Sequence, residues 1–310
     1  MTGAALDLSA IRAGGKAALA RALALLEARP HDPAVIDLLD AAWNAPLGRV
    51  IGLTGPPGVG KSTLTAALIR AWRAEGRTVA VIAIDPSSRV SGGALLGDRI
   101  RLNTDPEDNG LFVRSMAARE RLGGLADLTF PAMVLLRATH HMVLIETVGV
   151  GQSETEVAEA ADTVVFCVQP GSGDSLQFMK AGIMEIPHVL AVTKADMGPV
   201  ARRARADLKG ALSLAETDDS WKVPVLLLSA ATGAGIPDLV AAIDNHGDHL
   251  AQGGALNEAR TGQGNAWLEA AIRARFGSEG LAAARAIHMG DMSPFASYGM
   301  LARRIRVIAS

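Results

Sequence analysis

The sequence predicts an α/β fold in which a doubly wound, mostly parallel sheet is preceded by helices and followed by a helical arm. Three observations lead to this prediction. Apolar runs of strand length alternate with helical segments from Arg49 onward, a glycine-rich loop follows the first run, and both ends of the chain show helical spacing. The runs are apolar on both faces, as expected where helices cover both sides of a parallel sheet.

Seven runs are predicted to form the strands of this sheet. In chain order they are "RVIGLT", "TVAVIAID", "LFVRS", "HMVLIE", "TVVFCVQ", "HVLAVT" and "VPVLLLS". The helical segment "KSTLTAALIRAWRAE" follows the first strand, and "LADLTFPAMVLLRA" precedes the fourth, with Pro131 as an expected irregularity. The alternation of strands with helices predicts a parallel arrangement.

The pattern divides the chain into three segments. Residues 1–45 hold two helices separated by "RPHDP", residues 46–245 hold the sheet domain, and residues 246–310 form a helical segment in which "RIRVIA" is ambiguous. The last segment is predicted to be a helical arm that binds a partner or forms a dimer. A helical cap packed on the same domain fits its pattern equally well.

Bulk properties argue against several classes of partner and location. The formal net charge of −2 on 310 residues gives no electrostatic attraction toward nucleic acid or an anionic membrane. The first ten residues lack the features of a secretory signal, and no run reaches the about 20 apolar residues that span a bilayer. We therefore expect a cytoplasmic protein with neither a nucleic-acid nor a membrane partner.

The segment "GPPGVGKST" matches the phosphate-binding pattern G-x-x-x-x-G-K-[ST] between a strand and a helix. Its glycines allow backbone N–H groups to close around phosphate oxygens, and the helix N-terminus adds about half a positive charge. Lys61 is expected to reach the β- and γ-phosphates, and Ser62 to offer a hydroxyl to Mg²⁺. The predicted phosphate-binding residues are Gly55, Pro57, Gly58, Val59, Gly60, Lys61, Ser62 and Thr63.

Three acids are candidate Mg²⁺ ligands beside Ser62. Asp85 ends the second strand and Glu146 the fourth, at the edge where ligands of open α/β sheets bind. Asp98 lies in the Gly- and Ser-rich loop after Asp85, and its alternative role is to cap the segment that follows. Mg²⁺ prefers oxygen ligands, many of them water, so this set suits it.

The stretch "ETVGVGQSE" has the setting of a phosphate-sensing loop at a strand end. Gly149 is expected to sense the γ-phosphate through its N–H, whereas Val150 stands where Ras-type GTPases usually have a water-orienting Gln. Gln152 is the nearest polar substitute, with a surface position as its alternative. Slow intrinsic hydrolysis is therefore predicted. The candidate catalytic residues are Lys61, Asp85, Glu146, Gly149 and Gln152.

The segment "TKAD" matches [NT]-K-x-D, a pattern that reads guanine. Asp196 would accept hydrogen bonds from the N1–H and 2-amino groups of guanine, which adenine lacks at those positions. Lys194 is expected to lie along the base and brace the phosphate loop. "SAATGAGI" follows the next strand and resembles the loop that meets guanine O6. The predicted base-binding residues are Thr193, Lys194, Asp196, Ser229, Ala230 and Ala231.

Cysteine and histidine give no sign of a metal centre. The single cysteine, Cys167, lies in an apolar strand and is predicted to be a buried, unreactive residue. The pairs His140/His141 and His246/His249 each offer too few ligands for a metal. These four histidines are expected to be exposed.

Several of these segments together resemble the MeaB/ArgK family of P-loop GTPases, the methylmalonic aciduria type A protein-like G-protein chaperones. The resemblance covers about residues 10–275. Its most specific parts are "IETVGVGQSE" and the acidic loop "DPSSRVSGGALLGDR". Other matching parts are "GLTGPPGVGKST", "FVRSMAARERLGGLA", "GSGDSLQFMKAG", "LAVTKAD" and "LLLSAATGAGI".

The resemblance implies a GTP-hydrolysing chaperone, using GTP/GDP and Mg²⁺, for an adenosylcobalamin-dependent acyl-CoA mutase, chiefly methylmalonyl-CoA mutase. It would assist cofactor loading and protection of the mutase. A homodimer through the C-terminal helices is also implied, as is a segment that responds to nucleotide and partner, with Gln177 and Lys180 as its polar members. Family members commonly have Asn at the position of Thr193, and loss of that amide predicts weaker guanine binding.

Three other functions were compatible with these motifs. A transport-associated ATPase or kinase has no use for a guanine-reading acid. A nickel-inserting accessory GTPase generally carries Cys/His motifs, which a single buried cysteine does not supply. A switch that binds GTP tightly and scarcely hydrolyses it stays open, and single-turnover kinetics with and without partner would separate it.

Overall fold

The computed structural model describes residues 7–86, 105, 107–118, 128–147, 157, 159–171, 187–214, 221–287 and 292–308. The chain divides into two compact units. One unit, residues 49–120 and 141–256, contains the sheet, and the other comprises residues 1–48, 121–140 and 257–310, whose described elements are helices. Within the described ranges, no helix is both long enough and apolar enough to cross a membrane.

The sheet has seven strands in the order β3-β2-β4-β1-β5-β6-β7, and each neighbouring pair is parallel. All seven predicted runs form strands. Their order extends from β1 in both directions, which places a ligand crevice at the carboxyl ends of the central strands. The strands are β1 (Arg49–Thr54), β2 (Val79–Pro86), β3 (Leu111–Ala118), β4 (Met142–Thr147), β5 (Thr163–Val168), β6 (Val189–Val192) and β7 (Val225–Leu227).

Helices cover both faces of the sheet. Val165 and Cys167 of β5 belong to a core cluster with residues of α3 (Lys61–Ala74) and α6 (Ile236–Gln252). Their neighbours Phe166 and Val168 belong to a second cluster with residues of α5 (Pro199–Leu214). Because successive strand residues point to opposite faces, this division confirms the doubly wound fold that the sequence predicts.

The helical unit is built from segments far apart in the chain. Its α2 begins after Asp32, whose carboxylate accepts a 3.0 Å hydrogen bond from Ala34 N. Residues of "RIRVIA" that lie within the described chain are helical and belong to α8. The helices of the unit are α1 (Leu8–Ala28), α2 (Pro33–Asn44), α4 (Thr129–Arg137), nearly all of α7 (Ala255–Arg285), and α8 (Pro294–Ile308).

An aromatic cluster joins four helices of this unit. Trp43, Phe130, Trp267 and Phe295 come from α2, α4, α7 and α8, with ring centroids 4.6 to 6.3 Å apart. Gly264 allows α7 to approach, since a Cβ there would lie 2.8 Å from the Trp43 ring. These contacts group the N-terminal and C-terminal helices, which the sequence pattern separates. The predicted boundary between residues 245 and 246 falls inside α6.

Two local predictions were wrong. Pro131 does not interrupt a helix, because α4 begins at Thr129 and Pro131 lies in its first turn, where a missing N–H removes no intrahelical bond. Two of the four histidines are buried: His140 is 8% exposed and His246 is 1% exposed. His246 is buried because its ring packs against those of His188 and Trp221.

Candidate functional site

The phosphate-binding pattern forms a loop between β1 and the N-terminus of α3. Gly58 and Gly60 have φ angles of 74° and 99°, which glycine adopts without steric cost. Gly60 is the N-cap of α3, and no described side chain caps that helix. The first backbone N–H groups of α3 are therefore available to an anion, and the helix dipole favours one.

Gly55 begins this loop where the chain passes close to β5. A Cβ at Gly55 would lie 2.3 Å from the carbonyl oxygen of Cys167, so a larger residue would displace backbone. Cys167 is fully buried, as predicted, and burial raises the pKa of its thiol to about 12. The thiol therefore stays protonated and acts as a small apolar group under the loop.

Lys61 is held against the loop that it belongs to. Its Nζ donates hydrogen bonds to the carbonyl oxygens of Gly55 and Pro56, at 2.6 and 3.0 Å. The side chain is 7% exposed. A buried ammonium beside a ring of backbone groups is a strong anion-binding arrangement, because its charge is poorly screened there. Within the loop, Val59 is buried, whereas Pro57 and Thr63 are exposed.

Glu146 connects β4 to α3. The carboxylate is 9% exposed and accepts two hydrogen bonds, from Ser62 Oγ to Oε1 at 2.6 Å and from Thr65 Oγ1 to Oε2 at 2.7 Å. Parallel pairing places Glu146 opposite Leu53 of β1, just before the phosphate loop. Thr65 was missed from the sequence, although its position three residues after Ser62 puts both hydroxyls on one face of the helix.

The oxygen atoms around Glu146 fit a hard divalent cation. The Ser62 hydroxyl and the Glu146 carboxylate lie together at the phosphate end of the sheet, and oxygen ligands are those that Mg²⁺ prefers. Asp85 lies on β2 two residues beyond Ala83, which is paired with Glu146, so its backbone belongs to the same carboxyl edge. The side chain of Asp85 lies outside the described part of the structure.

The base-reading pattern lies against the phosphate loop. Lys194 Nζ donates to the carbonyl oxygen of Gly58 at 3.1 Å, which is the brace expected from the sequence, and to Gln169 Oε1 at 2.9 Å. Thr193 Oγ1 donates to the carbonyl oxygen of Val59 at 2.8 Å. The Thr193 hydroxyl therefore bonds to the phosphate loop from the position at which the MeaB/ArgK family commonly has an Asn amide.

Asp196 is joined to the loop after β7. Ser229 Oγ donates a 2.7 Å hydrogen bond to Asp196 Oδ1, and Ala195 N donates to the carbonyl oxygen of Leu228 at 2.9 Å. Ala230 follows Ser229 directly. The Asp196 side chain is exposed at the carboxyl edge of the sheet. These bonds bring together the two segments that the sequence assigns to the base, Thr193–Asp196 and Ser229–Ala231.

Sequence reasoning missed Gln169 as well as Thr65. Gln169 follows β5 directly, and a polar residue at a strand's carboxyl end in this fold is the signal that indicates it. Five predicted site residues lie outside the described residues and are not placed: Asp98, Gly149, Gln152, Gln177 and Lys180.

The parallel sheet, the phosphate loop and the adjoining base-reading loop define a P-loop nucleotide-binding protein of the GTPase class. The family model described as methylmalonyl Co-A mutase-associated GTPase MeaB matches residues 19–284. The chain belongs to this family and is a P-loop GTPase, as the sequence resemblance indicated.

Individual relatives agree with this assignment. A Pyrococcus horikoshii protein named as a GTPase is 41% identical over 261 residues, which are 81% of this chain and 80% of that protein. The mouse protein named methylmalonic aciduria type A homolog, mitochondrial, is 36% identical over 227 residues, 72% of this chain and 55% of the mouse protein. The crystal structure of an LAO/AO transport system kinase matches with a TM-score of 0.68 at 27% identity, covering 99% of each chain.

Proposed function

We propose that this GTPase binds GTP and Mg²⁺ at the carboxyl edge of the sheet and selects guanine through Asp196. The observation that carries the proposal is the pair of bonds from Thr193 Oγ1 and Lys194 Nζ to the carbonyl oxygens of Val59 and Gly58. They support the assignment of Asp196 as a base-reading acid beside the phosphate loop. Guanine nucleotides supply both the donors for the acid and the phosphates for the loop.

Phosphate binding is assigned to the loop Gly55–Thr63. The N–H groups that begin α3 and the Lys61 ammonium would contact the phosphate oxygens, and both lie at this loop. Lys61 would neutralise charge that develops on the γ-phosphate during hydrolysis. Its hydrogen bonds to Gly55 and Pro56 place the ammonium within the loop and not in solvent.

Ser62 and Glu146 are the residues that would hold Mg²⁺, with Asp85 and Asp98 as further candidate ligands. A divalent cation bound there would neutralise charge on the β- and γ-phosphates. Glu146 would act through its own carboxylate or through a bound water, and the Thr65 hydroxyl fixes the orientation of that carboxylate. The oxygen-rich surroundings of Ser62 support this assignment.

Base contacts are assigned to Thr193, Lys194, Asp196 and the loop Ser229–Ala231. Titration calorimetry of GDP and ADP on the full chain tests this assignment. GDP should bind at least about 100-fold more tightly, because adenine cannot satisfy the Asp196 carboxylate. Equal affinities for GDP and ADP would reject guanine selection and would favour the transport-associated ATPase that the sequence left as an alternative.

Hydrolysis is proposed to be slow in the isolated chain. Gly149 is assigned to sensing of the γ-phosphate, and Gln152 is the candidate in this chain for orienting the attacking water. A positioning or charge group from a partner is worth about 10³ to 10⁵ in rate in related reactions. Single-turnover hydrolysis at rates typical of fully assisted GTPases, measured on the isolated chain, would contradict this part of the proposal.

The proposed partner is an adenosylcobalamin-dependent acyl-CoA mutase, with methylmalonyl-CoA mutase as the first candidate. Support comes from the family description, which names that mutase, and from the name of the mouse relative. Gln177 and Lys180 are proposed to respond to nucleotide and partner. Residues 246–310 are proposed as a homodimerisation arm, and the cytoplasmic location stays a prediction.

Analytical size exclusion with purified methylmalonyl-CoA mutase tests the partner. The two proteins should co-elute in the presence of a non-hydrolysable GTP analogue, and the mutase should accelerate GTP hydrolysis. Absence of both effects would remove this mutase as the partner while leaving the GTPase site intact. Light scattering on the full chain gives the oligomeric state in the same experiment.

A further inference from the structure

A groove of about 740 Å³ runs along β7, the strand at one edge of the sheet. Its walls are β7, the residues just before it, one side of α5 and the start of α6. Two strands, β5 and β6, separate β7 from β1, which leads into the phosphate loop. The volume is within the range of about 300 to 1,000 Å³ that is typical of ligand sites.

The backbone of β7 offers hydrogen-bonding groups to this groove. Leu190 N donates to the carbonyl oxygen of Pro224 at 2.9 Å, and Leu228 N donates to that of Val192 at 2.8 Å. Alternate residues of a parallel strand bond to the same neighbour, so Val225 directs its N–H and C=O away from β6. Within the described chain no strand pairs with β7 on that side.

Basic side chains line the groove. Arg205 and Lys209 lie on α5 and Lys222 lies just before β7, and the described structure records no acidic partner for any of the three. Among the described residues that line the groove there is one acid, Asp238, which lies at the other end, in the first turn of α6. The described lining residues therefore give the groove a basic end and a mildly acidic end.

Partly buried apolar side chains form the floor between these charges. Leu212, Val223 and Leu227 line the groove and pack on the core cluster beneath α5. An extended peptide added to a sheet edge presents alternate side chains to such a floor, while its backbone bonds to the strand. Lysine at an exposed edge disfavours pairing with another basic strand, and it attracts an acidic one.

We propose that this edge, defined by β7, Arg205, Lys209 and Lys222, binds an acidic, extended segment of a partner protein as an additional strand. The backbone N–H and C=O of Val225, which face away from β6, supply the bonds that any extended peptide can use. The three basic side chains select the acidic one by charge complementarity. Since the groove is separate from the phosphate site, the proposal does not depend on the guanine assignment.

Fluorescence anisotropy with the full chain tests this surface. The probe is a labelled, amidated heptapeptide of alternating glutamate and valine, and it should bind saturably at low salt. The double variant Arg205→Glu/Lys209→Glu should weaken binding about tenfold, because it replaces two attractive charge contacts with two repulsive ones. The matched control Arg70→Glu/Arg203→Glu reverses two exposed helix charges at positions that do not line the groove and should bind as the parent does.

Two further peptides separate strand addition from simple charge attraction. A lysine–valine peptide should not bind, and a backbone N-methylated glutamate–valine peptide should bind at least about tenfold more weakly because it cannot pair with β7. No saturable binding, equal binding of the N-methylated peptide, or an equal loss in the control variant would each overturn the proposal. If the double variant fails to fold by circular dichroism, Lys222→Glu, outside any helix, replaces it with the same expected direction.

Discussion

Thr65 Oγ1 donates a 2.7 Å hydrogen bond to Glu146 Oε2, while Ser62 Oγ donates a 2.6 Å bond to Oε1. The two hydroxyls lie one helical turn apart on α3, and Glu146 comes from β4. One carboxylate therefore ties the helix after the phosphate loop to the neighbouring strand. Glu is one methylene longer than Asp, and this length lets the two carboxylate oxygens of Glu146 reach both hydroxyls.

Replacing Thr65 with Val should disturb Mg²⁺-dependent hydrolysis more than nucleotide binding. The change removes a hydrogen bond to a charged group, worth about 1.5 to 3 kcal/mol, and leaves a carboxylate that can rotate. We expect hydrolysis to slow by about 10- to 100-fold and to need more Mg²⁺ for half-maximal rate. The measurement is single-turnover hydrolysis across a Mg²⁺ titration.

The conservative variant Thr65→Ser is the control for this prediction. It retains the hydroxyl and should recover most of the rate, whereas a purely apolar packing role for Thr65 would make Ser the worse substitution. GDP affinity measured with a chelator present should be similar in the parent, Val and Ser proteins. A Mg²⁺ requirement that is unchanged in Thr65→Val would contradict the positioning role.

Shortening Glu146 to Asp should have an effect that overlaps with that of Thr65→Val. An Asp at this position cannot reach both α3 hydroxyls, so we expect a loss of at least about tenfold in hydrolysis. If the lost contact is the one with Thr65, the double variant should be no slower than Glu146→Asp, because the shared bond is already gone. Additive losses in this double-mutant cycle would show that the two residues act independently.

Replacing Asp196 with Asn should reverse the choice of base. The variant loses the second acceptor that guanine requires, so GDP should bind at least about 100-fold more weakly. Xanthine presents a carbonyl where guanine has its amino group, and the Asn amide can donate to it. Titration calorimetry should therefore show that Asp196→Asn binds xanthosine diphosphate more tightly than the parent does. The control Ser229→Ala removes only the neighbouring hydrogen bond to Asp196 and should show no such gain in affinity.

Much of the sheet unit was predictable because its signals are local. The strands are continuous apolar runs, and the phosphate loop is a contiguous pattern between a strand and a helix, so neither depends on distant contacts. The association of loops was predictable in outline, since parallel strands end at one edge. The hydrogen bond from Thr193 to the phosphate loop was not predictable. A comparison of residue types shows that the Asn amide is absent, but it does not show that the Thr193 hydroxyl lies 2.8 Å from the Val59 carbonyl oxygen.

Features that depend on long-range packing were not predictable from the sequence pattern. Trp43 and Trp267 lie far apart in the chain, and only folding brings them together around Phe130 and Phe295. His246 carries a polar ring in a polar-looking segment, yet its place on α6 turns it toward the core. In both cases the decisive information is which helix face meets which neighbour, and local spacing leaves that open.

His246 gives a prediction about acid sensitivity. Its ring lies 4.1 Å from that of His188 and 4.8 Å from that of Trp221, and its Nδ1 is 2.8 Å from Thr163 Oγ1. Burial lowers the pKa of His246 from 6.5 to about 3. Interactions with His188, His249 and Arg49 contribute to this lowering of the pKa after burial, and Asp162 opposes it.

The free energy of unfolding should therefore fall as the pH drops from 6.5 toward about 3. In this window the unfolded chain takes up a proton at residue 246 that the folded chain refuses, so acid favours unfolding. One proton corresponds to a slope of about 1.4 kcal/mol per pH unit. Urea unfolding followed by circular dichroism between pH 5 and 6.5 measures this slope where fewer carboxylates titrate.

The variant His246→Asn separates this residue from the other titrating groups. Asn retains a hydrogen-bonding group for Thr163 but takes up no proton. The free energy of unfolding should drop at neutral pH because packing is lost. Its slope against pH between 5 and 6.5 should become shallower by up to about 1.4 kcal/mol per pH unit. His141→Asn, at an exposed position, is the matched control and should leave the slope as it is in the parent. If both variants keep the parent slope, proton uptake at His246 does not drive the acid sensitivity.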